Sequence, residues 1–139
     1  MSFKEKVAWV MLLVMVLVYG GYFQSILGAV SAGVDVGEIP YRSAMLAAVV
    51  TVVMLAVVGT IAVTIAARGD DSSDERDRAI ERQGGWLSGI VLYVGVLGAL
   101  AMAMFEMAHF WIANTLLLSL VLAEIASVIL KLTLYRRGL

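Results

Sequence analysis

Residues 86–134 decide the fold of this chain, and they read WLSGIVLYVGVLGALAMAMFEMAHFWIANTLLLSLVLAEIASVILKLTL. At a rise of about 1.5 Å per residue, one helix of this length would extend over about 73 Å. That is more than twice the roughly 30 Å hydrocarbon core of a bilayer, so the segment must fold back on itself. Glu106 and His109 are the polar pair near its middle. We therefore predict a turn there, between helices at about residues 86–107 and 110–134.

Two further apolar runs precede this segment, at residues 7–30 and 43–67, and neither contains a charged side chain. Each is long enough to span a bilayer, which takes about 20 residues. The chain is 62% hydrophobic and 15% charged, whereas a soluble domain has about 45–50% apolar and about 25% charged residues. We expect an all-α integral membrane protein with a single membrane domain (1–139), whose four transmembrane helices form two antiparallel hairpins in a bundle. The run 7–30 exceeds the core of about 7–15 residues in a signal peptide, so we expect it to be retained.

The basic residues predict the orientation of these helices. One side of the membrane would hold nine of the ten, namely Lys4, Lys6, Arg68, Arg76, Arg78, Arg82, Lys131, Arg136 and Arg137. The other side would hold only Arg42. Because Lys and Arg accumulate in cytoplasmic loops, both termini and the loop 68–85 should be cytoplasmic. The predicted protein crosses the membrane several times, and the resemblance given below implies that this membrane is a bacterial inner (plasma) membrane.

The loop 68–85 contains six acids and four arginines. We expect a short helix at about residues 73–83, capped by Ser72 and ended by Gly84 and Gly85. The loop is interpreted either as a polar connector or as a docking surface for a cytoplasmic partner. The docking residues would be Asp74, Glu75, Arg76, Asp77, Arg78 and Glu81. A calcium loop is disfavoured, because Glu75 occupies the position where such a loop needs glycine for its sharp turn.

Glu124 lies near the middle of the predicted fourth helix, where an ionised carboxylate is costly. We expect it to face the bundle or a cavity, and to be protonated or paired. It is interpreted either as a proton-exchanging or cation-binding group or as a structural tie between helices. Its candidate neighbours are Lys131, Thr60, Thr64 and Tyr93. Asn114 is predicted to bridge helices through Gln24 or Ser25.

Glu106 and His109 form an E-x-x-H pair, whose spacing would place both side chains on one helix face. Three interpretations are open for this pair. It is a hydrophilic outer turn, a pair of metal ligands shared across an oligomer, or a pH-sensitive contact. We expect no metal and no cofactor. The chain has no Cys and one His, which excludes thiol catalysis and zinc–thiolate sites. It also has no nucleotide-binding motif, and its net charge of −1 gives no reason to expect nucleic acid.

Small residues recur at four-residue spacing in the predicted helices, where they let helix backbones approach closely. The stripes include Gly21, Ser25 and Ala29 in helix one, Gly95, Ala99 and Ala103 in helix three, and Ser119, Ala123 and Ser127 in helix four. They predict either packing within one chain or the interface of a homo-oligomer.

Three runs in the second half, DERDRAIERQG, FWIANTLLLSLVLAEI and LYRRG, resemble small four-helix bacterial inner-membrane proteins of uncharacterised function. The resemblance covers about residues 74–138. Its matching positions are Asp74, Glu75, Arg76, Asp77, Asn114, Glu124, Arg136 and Arg137. Proteins of this kind are often encoded beside small helix-turn-helix regulators, which implies a role in membrane-linked regulation and supplies no catalytic residues.

The expected function is therefore a non-enzymatic membrane protein that is regulatory or partner-binding through its cytoplasmic loop. One alternative is a small oligomeric transporter coupled to protons or cations through Glu124. The other is an accessory subunit of a larger membrane complex.

Overall fold

The computed structural model describes residues 3–66 and 75–138, which form four α-helices. They are α1 (Phe3–Ser31), α2 (Tyr41–Ala66), α3 (Glu75–Met104) and α4 (His109–Arg137). All four are long and apolar enough to cross a membrane, which confirms the predicted all-α class. The predicted cap Ser72 and the predicted docking residue Asp74 lie outside the described residues.

The predicted helix break at Gly84 and Gly85 is wrong. α3 runs without interruption from Glu75, so the second half of the charged segment continues a membrane-length helix. Glycine ends a helix when it adopts a left-handed conformation, and neither of these glycines has a positive φ. Gly84 is instead buried against α4, where an added Cβ would lie 2.6 Å from Lys131 Cε. The missing side chain serves close helix packing here.

The turn between α3 and α4 spans residues 105–108, as the polar pair in the sequence predicted. Glu106 occupies the left-handed region with φ 54°, and His109 is the first residue of α4. The two side chains therefore belong to a turn and to a helix start. The predicted helical face shared by Glu106 and His109 is wrong, because the chain reverses direction between them.

The four helices pack as two hairpins that meet along α1 and α4. α3 and α4 make the most extensive contact, α1 packs on both α2 and α4, and no extensive contact joins α2 to α3 in the described residues. Ser119 and Ala123 of α4 are buried, as is Ala99 of α3. Gly95 and Ala99 of α3 thus pack with α4 within one chain, whereas Ala103 is exposed. Gly21 of α1 has no neighbour for an added Cβ within 4 Å.

The core lies towards the hairpin end, where the connections 32–40 and 105–108 are found. Tyr22 and Ile26 of α1 pack there with Phe110 and Leu117 of α4. On α2 only Ala48 and Val52 are buried, both in its first half. The opposite end, formed by the start of α1, the start of α3 and the end of α4, is called the charged end below. Because the core does not extend along α2 beyond Val52, the helices leave a groove in this half of the molecule.

Candidate functional site

A groove of about 470 Å³ receives side chains from all four helices in the half nearer the charged end. We call it the Glu124 groove. Its walls are apolar and include Val7, Met11 and Met15 of α1, Val52 and Ala56 of α2, and Val128 of α4. Four polar residues, Lys4, Glu81, Lys131 and Tyr135, line it towards the charged end. A pocket of this size and polarity is typical of sites that bind small molecules.

Glu124 lines the apolar part of this groove and is exposed within it. Within residues 3–66 and 75–138, its carboxylate takes part in no hydrogen bond or ion pair. Three of its predicted neighbours lie elsewhere. The Thr60 and Thr64 hydroxyls donate hydrogen bonds to carbonyls of their own helix, at 2.8 and 2.9 Å, and Tyr93 is 70% exposed. The carboxylate therefore faces the groove and has none of these three as its partner.

Lys131 lines the same groove, two helical turns from Glu124. Its alkyl chain lies over Gly84 of α3, where an added Cβ would come within 3.0 Å of Lys131 Cγ. Seven residues along a helix correspond to about 10.5 Å. Lys131 packs against α3 and makes no ion pair with Glu124 in the described residues.

Asn114 makes a buried interhelical contact, with a different partner from the one predicted. The Tyr22 hydroxyl donates a hydrogen bond of 2.7 Å to Asn114 Oδ1, and Asn114 Nδ2 donates to the Phe110 carbonyl at 2.8 Å. Gln24 and Ser25, the predicted partners, are exposed. Asn114 is thus a structural tie between α1 and α4 that is far from the Glu124 groove.

Residues 75–83, which we call the charged extension, are the first part of α3 and are fastened along one face. Lys4 Nζ of α1 lies 2.7 Å from Asp77 Oδ2, and Arg76 Nη2 donates to the Tyr135 carbonyl at 3.5 Å. Ile80 is only 3% exposed. Of the predicted docking residues, Arg76 and Asp77 thus contact the bundle. Glu75, Arg78 and Glu81 are exposed.

A second set of contacts joins α1 to the end of α4. Arg136 Nε lies 3.8 Å from Glu5 Oε1, and the Arg136 guanidinium stacks over the Trp9 ring at 5.5 Å. A cation above an aromatic face is attracted by the negative face of the ring. Arg136 therefore links the two central helices of the fold at the charged end.

The hairpin end carries a wider, open pocket of about 730 Å³, and His109 lies on its wall. The connection between α1 and α2 contributes Asp35 and Glu38 to the same pocket, and the start of α2 contributes Arg42. No group of three potential ligands for a metal ion occurs in the part of the chain that the structure describes. The pocket gathers charged side chains of both signs around the single histidine.

Sequence reasoning missed Tyr22, Lys4 and Gly84. A signal for Tyr22 was present, since Met15, Tyr19, Tyr22 and Ile26 follow the four-three spacing of one helix face, and all four are buried. Lys4 was used only as one of the basic residues that predict the orientation of the chain in the membrane, and its pair with Asp77 was not predicted. Gly84 was interpreted as a stop signal, because its contact with α4 is made by residues more than forty positions away.

Comparison with known proteins gives no match for this geometry. No protein-family model, curated protein or solved structure matches the chain. The resemblance of residues 74–138 to small four-helix bacterial membrane proteins therefore stays a prediction, carried by the residues quoted for it.

Proposed function

We propose that this chain is a non-enzymatic protein of the bacterial inner membrane that binds a regulatory partner at its charged end. In this proposal both termini and the charged extension are cytoplasmic, which the nine-to-one distribution of Lys and Arg supports. The observation that carries the proposal is that the charged extension is a continuous, fastened part of a membrane-length helix.

The charged extension has two different faces. Asp77 and Ile80 turn towards the bundle, where Asp77 binds Lys4 and Ile80 is buried. Glu75, Arg78 and Arg82 fall on the opposite side of the helix and are exposed. A partner that contacts this outer face would bind a rigid helix, which costs less conformational entropy than ordering a flexible loop.

Binding at the outer face would also act on the membrane helices. α3 is continuous from Glu75 to Met104 and packs closely on α4. A displacement of the charged extension therefore changes the packing of α3 on α4, since a helix transmits movement along its axis. This continuity is the physical basis for a regulatory role.

The orientation can be tested with a reporter enzyme that is active only outside the cytoplasm. Fused to the C-terminus, the reporter should be inactive, and fused within residues 32–40 it should be active. An active C-terminal fusion would reject the cytoplasmic placement and, with it, the proposed partner surface.

The partner surface can be tested by photocrosslinking in living cells. A photoreactive amino acid at Arg78 or Arg82 should give a protein adduct, and the same group at the buried Ile80 should not. The charge reversal Glu75→Arg should weaken the adduct, while the thermal unfolding of the purified protein stays unchanged. Equal adducts from Arg78 and Ile80, or adducts with lipid alone, would contradict the proposal.

An accessory role in a larger membrane complex predicts a different crosslinking pattern. Trp86 and Tyr93 are 69% and 70% exposed on the same outer side of α3. A photoreactive group at Trp86 should then give adducts with other membrane proteins. Adducts at Arg82 without adducts at Trp86 favour a cytoplasmic partner instead.

The second candidate function is a small oligomeric transporter coupled to protons or cations through Glu124. It is favoured by the carboxylate that lines an apolar groove on a membrane-length helix. Flux of a panel of cations should be measured in proteoliposomes that contain the parent chain or the Glu124→Gln variant. Flux that is equal in both preparations would reject this candidate.

A further inference from the structure

Glu124 lies at a depth where a bare carboxylate is unfavourable. It is 15 residues from His109 and 13 from Arg137, the two ends of α4, which places it about 22 and about 20 Å from them along the axis. If α4 crosses the membrane, this position is close to the middle of the apolar phase. An ionisable group there needs a counter-charge or a polar environment.

The described part of the chain provides no ion-pair partner for Glu124. No described residue forms an ion pair or hydrogen bond with this carboxylate. Lys131 packs over Gly84, two turns away, and Lys4 is already paired with Asp77 at 2.7 Å. The groove residues Lys131, Glu81 and Glu124 then include two acids and one base, so one negative charge is left over.

The walls of the Glu124 groove define what kind of cation can neutralise this charge. Met11, Met15, Val52 and Val128 offer no oxygen ligands, and a divalent ion prefers six or more oxygens. The volume of about 470 Å³ lies in the range of pockets that hold small organic molecules. The apolar part of an organic cation would fill the space between these walls, and methionine side chains adapt readily to its shape.

The groove is also accessible from the side. α2 and α3, which both contribute to it, make no extensive contact with each other in the described residues. An apolar ligand dissolved in the bilayer can therefore reach Glu124 between these helices, without passing through water.

We propose that the Glu124 groove binds a monovalent organic cation with an apolar body, its positive charge held by the Glu124 carboxylate. The inference rests on the second candidate function and names the class of ligand for it. It concerns binding only. A chain that binds such a cation without transporting it would therefore confirm the inference and reject the transporter.

The test measures binding of tetraphenylphosphonium to the purified full-length chain in nanodiscs of uncharged, zwitterionic lipid, by isothermal titration calorimetry. We expect saturable binding with one cation per chain. Glu124→Gln should lower the affinity by at least about tenfold, because it removes a carboxylate–cation pair from a low-dielectric site. The matched control is Glu75→Gln, which removes a carboxylate from the exposed extension and should leave the affinity unchanged.

Further arms keep the result decisive. The neutral analogue triphenylphosphine oxide should bind the parent chain and Glu124→Gln equally. Ala56→Trp, which fills the groove from α2 without changing any charge, should abolish binding even if Glu124→Gln does not fold.

Four outcomes would overturn the inference. They are equal tetraphenylphosphonium affinity for the parent and Glu124→Gln, unchanged binding to Ala56→Trp, displacement of the probe by millimolar sodium, and a dimeric chain that binds no probe. The last outcome would assign the groove to a second copy of the chain. Flux in proteoliposomes is measured separately, so that failure of transport and failure of binding are distinguished.

Discussion

A close contact between α3 and α4 depends on the absence of a side chain at Gly95. A Cβ built on Gly95 would overlap the Ser119 side chain and lie 3.3 Å from Ser119 Cα. Ser119 is buried, and its hydroxyl donates to the Thr115 carbonyl at 2.7 Å. Rotation of the Ser119 side chain cannot relieve the overlap, because Ser119 Cβ itself is involved and does not move with χ1. Gly95→Ala therefore forces the two helices apart.

The expected cost follows from this geometry. Overpacking of a well-packed contact costs about 1–3 kcal/mol, and α3 against α4 is the most extensive helix contact in the described fold. Gly98→Ala is the matched control, since a Cβ there has no neighbour within 4 Å. Both substitutions replace glycine by alanine in one helix, so their propensity gains of about 0.8–1 kcal/mol cancel in the comparison. Gly95→Ala should be less stable than Gly98→Ala by about 1–3 kcal/mol in reversible unfolding in mixed micelles.

A rescue experiment assigns the loss to the contact with Ser119. Ser119→Gly removes the atoms that the new methyl group would meet, so Gly95→Ala combined with Ser119→Gly should lose less stability than the sum of the single substitutions. Such coupling is the mark of residues in contact. Additive losses, or equal stability of Gly95→Ala and Gly98→Ala, would refute the packing described here.

Four further substitutions test other contacts. Tyr22→Phe should cost about 0.6 kcal/mol and at most about 1.7 kcal/mol in the same unfolding assay, as measured for interhelical hydrogen bonds in a membrane protein. Asn114→Ala should cost more, because it also removes the hydrogen bond from Asn114 Nδ2 to the Phe110 carbonyl; equal losses would contradict the geometry. Lys4→Ala should cost at most about 1 kcal/mol at low salt and less at high salt, since the pair with Asp77 is partly exposed; a loss that does not depend on salt would argue against an ionic contact. Glu106→Gly should raise the melting temperature, because glycine adopts the left-handed conformation without the strain of about 1 kcal/mol that a side chain causes there. A lower melting temperature would show that the Glu106 side chain stabilises the turn.

The number of helices and the place of the last turn could be predicted from the sequence, because both depend on local composition and length. A run of apolar residues longer than a bilayer is thick has to reverse, and Glu106 and His109 were the polar residues available for the reversal. The spacing of small residues in α3 and α4 predicted either packing within the chain or an interface between copies. Gly95 and Ala99 of α3 pack with α4 within the chain, while an interface between copies stays a prediction.

The partners of individual side chains could not be predicted, because they depend on how each helix is rotated and where it crosses its neighbour. Asn114 was expected to meet Gln24 or Ser25, yet the rotation of α1 turns Tyr22 towards it. Gly84 was interpreted as the end of a helix, because glycine often ends helices by adopting a left-handed conformation. Here Gly84 stays helical and is buried against α4, which the sequence alone does not show.

The buried hydrogen bond between helices and the partly exposed ion pair between helices lie at opposite ends of the fold. At the hairpin end, Tyr22 and Asn114 are joined by a buried hydrogen bond within the apolar core, and removing such a bond exposes unpaired polar groups to an apolar surrounding. At the charged end, α1 and α3 are joined by Lys4 and Asp77, whose side chains are 46% and 22% exposed, and an ion pair of this kind contributes about 0–1 kcal/mol. The free-energy cost of separating two helices is therefore lowest at the charged end. Lys4 lines the Glu124 groove and also binds the charged extension. A partner that draws the extension away from α1 would therefore release Lys4, and a ligand that displaces Lys4 would remove one of the contacts that hold the extension. The proposed partner surface and the proposed cation site are in this way linked through one weak ion pair.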